Sequence, residues 1–538
     1  MPSGVAGLGL RSTSMAGGGG WRPRRWLAAA LALAGAAAFA AGQDARAGAA
    51  GGVASPYVGP SQNVFDCQRK VQLDYTGDPR SSAMFSRAQD QPQWIDVEKA
   101  RIEENLSDQG DVFQGVDLAV LDPAEWPEAF PAWTCDTNAP ENVPPGPCGD
   151  DSGDVPGAPP RGTALLFVPK DVKPNAPRLL YIHGGSWLSG SPWTQGYPTF
   201  CAKLAKFLGM PVLSIDYALI PTGMFNVGDH PVLPAVAKAT KFLAAQSPRR
   251  LVDTKGKRPS QVGDKRRLTK TKIFIMGDSS GAGTAISALA AQAARDPGWQ
   301  AIVGRAKIKG GVLISPWTNL MSNSPTYLNN LYNKWRPGGY GLGDVAFGCE
   351  EPEDPSDVCL PLAPPPGEDL SSNRSAVLDW TNNAKQYVGD DPPGSCPSGP
   401  DWDTICNPNL KNPLANPLFA PAEVLKRMAP MSFHVGTAEL MYSDSAMLAN
   451  KVSASGGKTE FHTYDGMWHV WPMASEGCGT GVPLLMGQAA FASARTFLQG
   501  LVKKGKKGMK CGRRAPCFFG HWEYPKGQDS AEGMSAFA

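Results

Sequence analysis

The stretch M-G-D-S-S-G-A-G at residues 276–283 places a serine between two glycines. Gly277, Ser279 and Gly281 fit the pattern G-x-S-x-G, which is short enough to occur by chance in a chain with 61 glycines. Its context is more informative, because the apolar run K-I-F-I-M precedes it and an alanine-rich, helix-forming segment follows. A serine at a sharp strand-to-helix turn exposes its hydroxyl at the edge of a sheet, and the helix dipole favours negative charge there. The sequence therefore predicts a nucleophilic Ser279 rather than a turn of small residues.

A serine hydroxyl needs a general base at neutral pH. The chain contains six histidines, namely His183, His230, His434, His462, His469 and His521. His469 lies in Y-D-G-M-W-H-V-W-P, a predicted loop after the last core strand, whereas His434 and His462 lie within predicted strands. We therefore predict His469 as the base, and we interpret His183 as an anchor of its own loop.

A carboxylate should orient the imidazole of the base and stabilise its charged form. The stretch H-V-G-T-A-E-L-M-Y-S-D-S at residues 434–445 offers two carboxylates, Glu439 and Asp444. For Asp444 an alternative is that it caps the N-terminus of the following helix.

An upstream stretch, L-L-Y-I-H-G-G-S-W at residues 179–187, ends a predicted strand in H-G-G. Backbone N–H groups at such a strand end can stabilise the oxyanion of a tetrahedral intermediate. We predict that the amides of Gly184, Gly185 and Ser280 do so.

Short apolar runs alternate with helical patterns around these motifs. The predicted strands are residues 179–182, 211–215, 272–276, 310–314, 432–435 and 458–463, and the predicted helices are 197–208, 233–246, 279–295, 446–454 and 487–501. Such alternation is typical of β-α-β units with a parallel sheet covered on both faces. The predicted fold class is α/β, with a mostly parallel sheet flanked by helices.

The remaining segments do not show this alternation of strand and helix patterns. The predicted organisation is a signal peptide or signal anchor at 1–45, an N-terminal cap segment and linker at 56–160, a first core part at 161–320, a Cys/Pro-rich cap insertion at 321–429, a second core part at 430–502 and a basic tail at 503–538. A long insertion between core strands is usually a lid or a binding element. The basic tail is interpreted as solvated surface, with attraction to an acidic surface or polysaccharide as the alternative.

The N-terminus has the features of a targeting segment. Arg22, Arg24 and Arg25 precede an apolar run of small residues at 26–41 with A-x-A-like cleavage options. This predicts a secreted or endomembrane-lumenal protein. The alternatives are an uncleaved signal anchor that tethers it to the membrane, a plastid-type transit peptide and a mis-assigned start.

The eleven cysteines agree with an oxidising compartment. Four close pairs lie in Pro/Gly-rich segments and are plausible disulfides: Cys135/Cys148, Cys349/Cys359, Cys396/Cys406 and Cys511/Cys517. Their connectivity does not follow from sequence, and the odd count leaves at least one thiol without a partner in the chain. The chain has no C-x-x-C, which argues against a zinc site.

Seven motifs together resemble the hormone-sensitive lipase-like family of α/β-hydrolases. They are H-G-G-S-W, V-L-S-I-D-Y, G-D-S-S-G-A-G, L-I-S-P-W-T-N-L, N-P-L-F-A, V-G-T-A-E-L and G-M-W-H-V-W. The order serine, acid, histidine is also that of α/β-hydrolases. The resemblance covers about residues 161–502 and implies a carboxylesterase with a Ser-Asp/Glu-His triad. It further implies a small-molecule ester substrate, a cap built partly from N-terminal helices, and no metal or cofactor.

The family's acid position matches Glu439 without gaps, while Asp444 matches a nearby acidic position. Three departures from the family pattern affect the expected substrate range. Ser186 replaces the third loop glycine, and A-L-I-P-T-G-M-F follows Asp216-Tyr217 in place of the family's arginine-containing run. The second cap segment is also much longer than is usual in the family and rich in cysteine. Trp187 and Trp468 lie in motif loops and are predicted to contact substrate, with ordinary cap packing as the alternative.

The net charge of +2 gives no indication of a nucleic-acid partner. After the N-terminal signal, no stretch approaches the length of a membrane span. The alternatives to an esterase are a catalytically silent small-molecule-binding module, an extracellular interaction scaffold, and an amidase or acyltransferase that uses the same residues. The sequence does not define the oligomeric state.

Overall fold

The computed structural model describes residues 112–133, 160–188, 190–193, 196–220, 225, 231–257, 270–330, 384, 387–388, 408–475, 484–504 and 518–522. The strands in this part of the chain are β1 Val116–Leu121, β2 Ala164–Pro169, β3 Arg178–Ile182, β4 Val212–Ile215, β5 Ile273–Asp278, β6 Ile308–Ile314, β7 Met431–Gly436, β8 Thr459–Tyr464 and β9 Phe518–Trp522. They form one nine-stranded sheet in the order β1-β2-β4-β3-β5-β6-β7-β8-β9.

The described helices connect these strands. They are α1 Tyr197–Leu208, α2 Val232–Ala245, α3 Pro248–Asp253, α4 Ser279–Ala294, α5 Pro297–Val303, α6 Pro325–Asn329, α7 Ala422–Arg427, α8 Tyr442–Ala454 and α9 Leu485–Lys504. Short 3-10 turns lie at Val112–Gly115, Pro408–Lys411, Pro417–Phe419 and Trp471–Ala474.

The sheet is antiparallel at one edge and parallel elsewhere. Strand β2 pairs antiparallel with β1 and β4, and the pairs from β4 through β3 to β9 are parallel. Parallel strands between helical layers are buried on both faces. In β5, Ile275 belongs to one hydrophobic cluster, while Phe274 and Met276 belong to a second. The predicted α/β class, its six core strands and its five helices are confirmed.

Three strands were not predicted, namely β2 Ala164–Pro169, which is buried along its whole length, and the two edge strands of the sheet. Strand β1 lies in the predicted cap segment and β9 in the predicted basic tail, so those parts of the chain contribute to the core sheet. In β1 Asp117 is only half-buried and Val120 is 41% exposed, so this edge strand is incompletely covered. Strand β9 follows a basic run and is placed by its pairing with β8. Both are recognisable only from their pairing partners.

Several predictions lie outside the described residues. These are the targeting segment, the four proposed cysteine pairs and most of the segments at 56–160 and 321–429. Cys201, on α1, is described and is a buried free thiol. Among the described helices, none combines the length and apolar character that crossing a membrane requires.

Candidate active site

Ser279 occupies a strained turn between β5 and α4. Strand β5 ends at Asp278, α4 begins at Ser279, and Ser279 has a φ of +51°. A non-glycine residue rarely adopts this left-handed conformation, and such strain concentrates at functional sites. The two flanking glycines allow it. A Cβ on Gly277 would lie 2.7 Å from the Gly281 backbone, and one on Gly281 would lie 2.2 Å from the His183 carbonyl oxygen. The backbones of α4 and β3 therefore meet more closely than a side chain would allow.

This close approach makes Gly281→Ala a disruptive substitution. The added methyl group must push α4 away from β3, and overpacking of this kind costs about 1–3 kcal/mol. We expect a lower free energy of unfolding, measured by urea denaturation, and reduced activity. Gly500→Ala is the matched control, because a Cβ at Gly500 in α9 meets nothing within 4 Å. A Gly281→Ala protein as stable as the Gly500→Ala protein would contradict the packing described here.

Glu439 and His469 meet at the carboxyl ends of the neighbouring parallel strands β7 and β8. Nδ1 of His469 lies 3.3 Å from Oε2 of Glu439 and donates to it. This is a long hydrogen bond of the kind that shortens when substrate is bound. Glu439 is 0% exposed. Its Oε1 accepts from the Gly436 amide at 2.6 Å and from the Ser315 hydroxyl at 2.8 Å. Burial raises the pKa of Glu439, and these two hydrogen bonds oppose that rise.

Asp444, the second candidate acid, has a different environment. It lies in the first turn of α8 and is buried, and its Oδ1 accepts from Asn319 Nδ2 at 3.2 Å. Met441 is the N-cap residue of α8, so the alternative of Asp444 as a cap is wrong. The carboxylate in contact with His469 is that of Glu439. The geometry therefore favours Glu439 over Asp444.

Two buried carboxylates predict a pH dependence of stability. Burial raises the pKa of Asp278 to about 6 and that of Asp444 to about 7. In an unfolded chain aspartate titrates near about 3.9, so between these values the folded protein binds more protons. These two carboxylates therefore contribute a fall in the free energy of unfolding as the pH rises from about 4 to about 7. Burial lowers the pKa of His183 to about 4, which opposes this fall below the ordinary histidine pKa of about 6.5, so the fall is expected chiefly between about pH 6.5 and 7.

We expect Asp444→Asn to flatten the upper part of this fall, because the substitution removes the group that loses its proton there. Asp171→Asn, at an exposed position, should leave the slope unchanged. Urea unfolding across this pH range measures the effect. An unaltered slope in the Asp444→Asn protein would show that Asp444 does not titrate as its burial requires.

The H-G-G loop lies directly against the serine turn. A Cβ on Gly184 would lie 2.4 Å from Asp278 Oδ2 and 3.0 Å from Ser279 Cβ. The Gly184 amide donates to the Tyr197 hydroxyl at 2.9 Å and to Asp278 Oδ1 at 3.1 Å. The prediction that the Gly184 amide stabilises the oxyanion is therefore wrong, because its N–H already donates to Tyr197 and Asp278. The predicted roles of the Gly185 and Ser280 amides stay predictions.

The Asp278 carboxylate holds the H-G-G loop in place through hydrogen bonds. Its carboxylate accepts from the Tyr181 hydroxyl at 2.5 Å and from the Tyr197 hydroxyl at 2.9 Å, in addition to the Gly184 amide. The charge of His469 favours the ionised form of Asp278. Asp278 directly precedes Ser279, so His469 interacts electrostatically with the residue next to the serine.

The backbone of the H-G-G loop turns sharply after Gly184. Gly185, Ser186 and Trp187 all have positive φ, at +106°, +56° and +60°. The Trp187 amide donates to the Ser280 hydroxyl oxygen at 3.3 Å, which ties the loop to the first turn of α4.

The other buried histidines are held in packing roles. Nδ1 of His183 donates to the Gly184 carbonyl at 2.7 Å, and its ring stacks on Tyr217 at 4.3 Å. Burial lowers the pKa of His183 to about 4, so the ring is neutral near pH 7 and fits its predicted role as a loop anchor. His434 is buried and stacks on His462 at 4.8 Å.

The two tryptophans predicted to contact substrate are both buried. Trp187 is 1% exposed, its Nε1 donates to Thr284 at 3.0 Å, and its ring stacks on Tyr387 at 3.9 Å. The packing alternative therefore describes Trp187 better than a substrate contact. Trp468 is buried next to His469 in the chain, and its contact with substrate stays a prediction.

The sequence motifs do not reveal the roles of Asp278 and Ser315. Asp278 occupies a variable position of G-x-S-x-G, and Ser315 lies in L-I-S-P-W at the end of β6. The only signal in the sequence was their presence in quoted motifs at carboxyl ends of predicted strands. That edge is where open α/β sheets place their sites.

The strand order and the serine turn after β5 place the chain in the α/β-hydrolase class of folds. A family model described as alpha/beta hydrolase fold matches residues 179–338 and 365–473, which is half of the chain. The chain therefore belongs to this family, and the family resemblance predicted from the motifs is confirmed.

Individual relatives match parts of the chain. Neutral cholesterol ester hydrolase 1 of Pongo abelii is 29% identical over 164 residues, which span 30% of this chain and 34% of that relative. An acetyl-hydrolase of Streptomyces hygroscopicus is 24% identical over 304 residues, which span 56% of this chain and 71% of the relative. A solved hyperthermophilic esterase from Pyrobaculum calidifontis is similar with a TM-score of 0.46 and 16% identity, covering 83% of this chain and 99% of the esterase.

Proposed function

We propose that this protein is a serine hydrolase that cleaves carboxylic esters through an acyl-enzyme on Ser279. The observation that carries the proposal is a strained serine, Ser279, at the β5–α4 turn, directly after Asp278, whose carboxylate interacts electrostatically with His469. His469 is in turn hydrogen-bonded to Glu439. The names of the relatives, an ester hydrolase and an acetyl-hydrolase, support the same reaction class.

The chemistry follows from the hydrogen bond between Glu439 and Nδ1 of His469. That bond sets the tautomer in which Nε2 accepts a proton. Ser279 Oγ attacks the ester carbonyl while Nε2 takes its proton, and Glu439 stabilises the imidazolium that forms. The oxyanion is stabilised by backbone amides, with Gly185 and Ser280 as the proposed donors. The imidazolium then protonates the leaving alcohol, and water hydrolyses the acyl-enzyme by the same route.

Two other functions use the same framework. An amidase or acyltransferase would employ the same residues and differ in the leaving group or the acceptor. A silent binding module would retain the fold without an activated serine. We also propose that the protein enters the secretory pathway, because the basic and apolar segment near its N-terminus and the close sequence spacing of its cysteines support that location.

The test is turnover of a panel of p-nitrophenyl esters from acetate to octanoate by the purified full-length protein. Matched p-nitroanilides and an added acceptor alcohol separate hydrolysis of esters from amidase and transferase activity. We expect saturable ester hydrolysis that exceeds anilide hydrolysis at every acyl length. A folded protein that turns over none of these compounds but binds an ester analogue would instead identify a binding module.

A further inference from the structure

Ser315 lies at the carboxyl end of β6, which pairs with β7, the strand that precedes Glu439; β8, the strand that precedes His469, lies on the other side of β7. It is fully buried, and its φ of +46° is unusual for a non-glycine residue. Its backbone amide donates to the His434 carbonyl of β7 at 2.9 Å, which fixes the chain at this point. The side chain is therefore held in one place between the β7 and β8 loops.

The hydroxyl of Ser315 makes two hydrogen bonds with complementary roles. It donates to Oε1 of Glu439 at 2.8 Å, and it accepts from the Val470 amide at 3.0 Å. A serine hydroxyl has one donor and can also accept, so both capacities are used. One hydroxyl thus joins the carboxylate that contacts His469 to the backbone immediately after His469.

Val470 explains why that backbone needs support. It has a φ of +58°, and a β-branched residue in the left-handed region is a genuine outlier. Such strain persists only where surrounding interactions hold it. The hydrogen bond from the Val470 amide to Ser315 is one of these interactions, so the orientation of the His469 loop depends on it.

We propose that Ser315 is a positioning residue that sets the relative geometry of Glu439 and His469 in the reaction. This inference rests on the proposed function. Without the hydroxyl, Oε1 of Glu439 loses one of its two described hydrogen-bond donors and keeps the Gly436 amide. The Val470 amide also loses the hydroxyl oxygen to which it donates. A displacement of about 1 Å in a reacting group costs up to about 100-fold in rate.

The hydroxyl also affects the charge of the pair. Its hydrogen bond favours the ionised form of Glu439 against the effect of burial. Two charged groups of the described residues bear on this titration. His469 contacts Glu439, and Asp278 interacts electrostatically with His469. Removal of the hydroxyl should therefore leave more of Glu439 protonated at a given acidic pH, which moves the acid limb of the kcat profile to higher pH.

The experiment compares Ser315→Gly and Ser315→Ala with the wild-type protein on the same ester. Glycine adopts positive φ freely, so Ser315→Gly removes the hydroxyl without straining the backbone. We expect kcat to fall by about 10- to 100-fold in both variants, with KM changed much less. We also expect the acid limb of the kcat profile to shift to higher pH in both variants.

Ser453→Ala is the matched control, because Ser453 in α8 is also a buried serine with two hydrogen-bond contacts. Its hydroxyl donates to the Ala449 carbonyl at 2.9 Å and lies 2.7 Å from the Thr459 hydroxyl of β8. It should retain wild-type kcat and pH profile.

The two Ser315 variants separate positioning from folding. Full kcat in Ser315→Gly, with loss confined to Ser315→Ala, would assign the effect to backbone strain and overturn the inference. Wild-type kcat in both variants would overturn it as well, while Ser279-dependent hydrolysis by the wild-type protein would leave the proposed function standing. Absence of Ser279-dependent hydrolysis in the wild-type protein would overturn the proposed function and this inference with it.

Discussion

Replacement of Ser279 by alanine is expected to abolish ester hydrolysis. Loss of the nucleophile in a serine hydrolase lowers kcat by on the order of a million-fold, because no other group can form the acyl-enzyme. Alanine tolerates the φ of +51° about as poorly as serine, so the fold should be little changed. The measurement is kcat for the best ester of the panel, with thermal unfolding as a check on folding.

Ser287→Ala provides the control for this substitution. Ser287 lies on the same helix, is buried, and its hydroxyl donates to the Gly283 carbonyl at 3.1 Å. Its removal should leave kcat within a few-fold of the wild-type value. Residual hydrolysis at the wild-type rate in the Ser279→Ala protein would assign the nucleophile to another residue.

The second large effect is expected at Glu439. In Glu439→Gln the side chain keeps its size and can still accept from Ser315 and Gly436, but it no longer carries the charge that stabilises the imidazolium. The amide group can also turn toward Nδ1 and impose the wrong tautomer of His469. The analogous change in a known serine triad lowers kcat by about 10⁴-fold, and we expect a loss of about 10³- to 10⁴-fold here.

Asp444→Asn distinguishes the two candidate acids. Asp444 is held by Asn319 rather than by His469, so its replacement should leave kcat nearly unchanged at neutral pH. The reverse pattern, a large loss in Asp444→Asn and a small one in Glu439→Gln, would reassign the acid. Steady-state kinetics of both variants with one ester provides the comparison.

Local sequence was sufficient for the framework of the site. The strand-to-helix turn at Ser279 depends on neighbouring residues, because two glycines and an alanine-rich helix make it possible. The sequence favours Glu439 over Asp444 only through the family resemblance, since both residues follow β7 within a few positions and only the position of the β8 loop distinguishes them.

The parts that sequence did not predict depend on contacts between distant residues. The direction of the Gly184 amide is determined by Tyr197 and Asp278, which approach it only in the folded sheet. Ser315 acquires its role because β6 lies next to β7, and its partners Glu439 and Val470 follow more than 100 residues later. Strands β1 and β9 at the edges likewise depend on pairing that no local pattern encodes.

The proposed reaction depends on Ser279 being an activated nucleophile. The most direct test is reaction of the purified full-length protein with a fluorophosphonate, followed by mass spectrometry of the labelled peptides. We expect a single phosphonyl adduct on Ser279, which the folded protein forms and the heat-denatured protein does not form. A folded protein that stays unlabelled, or that carries the adduct on a different residue, would contradict this expectation.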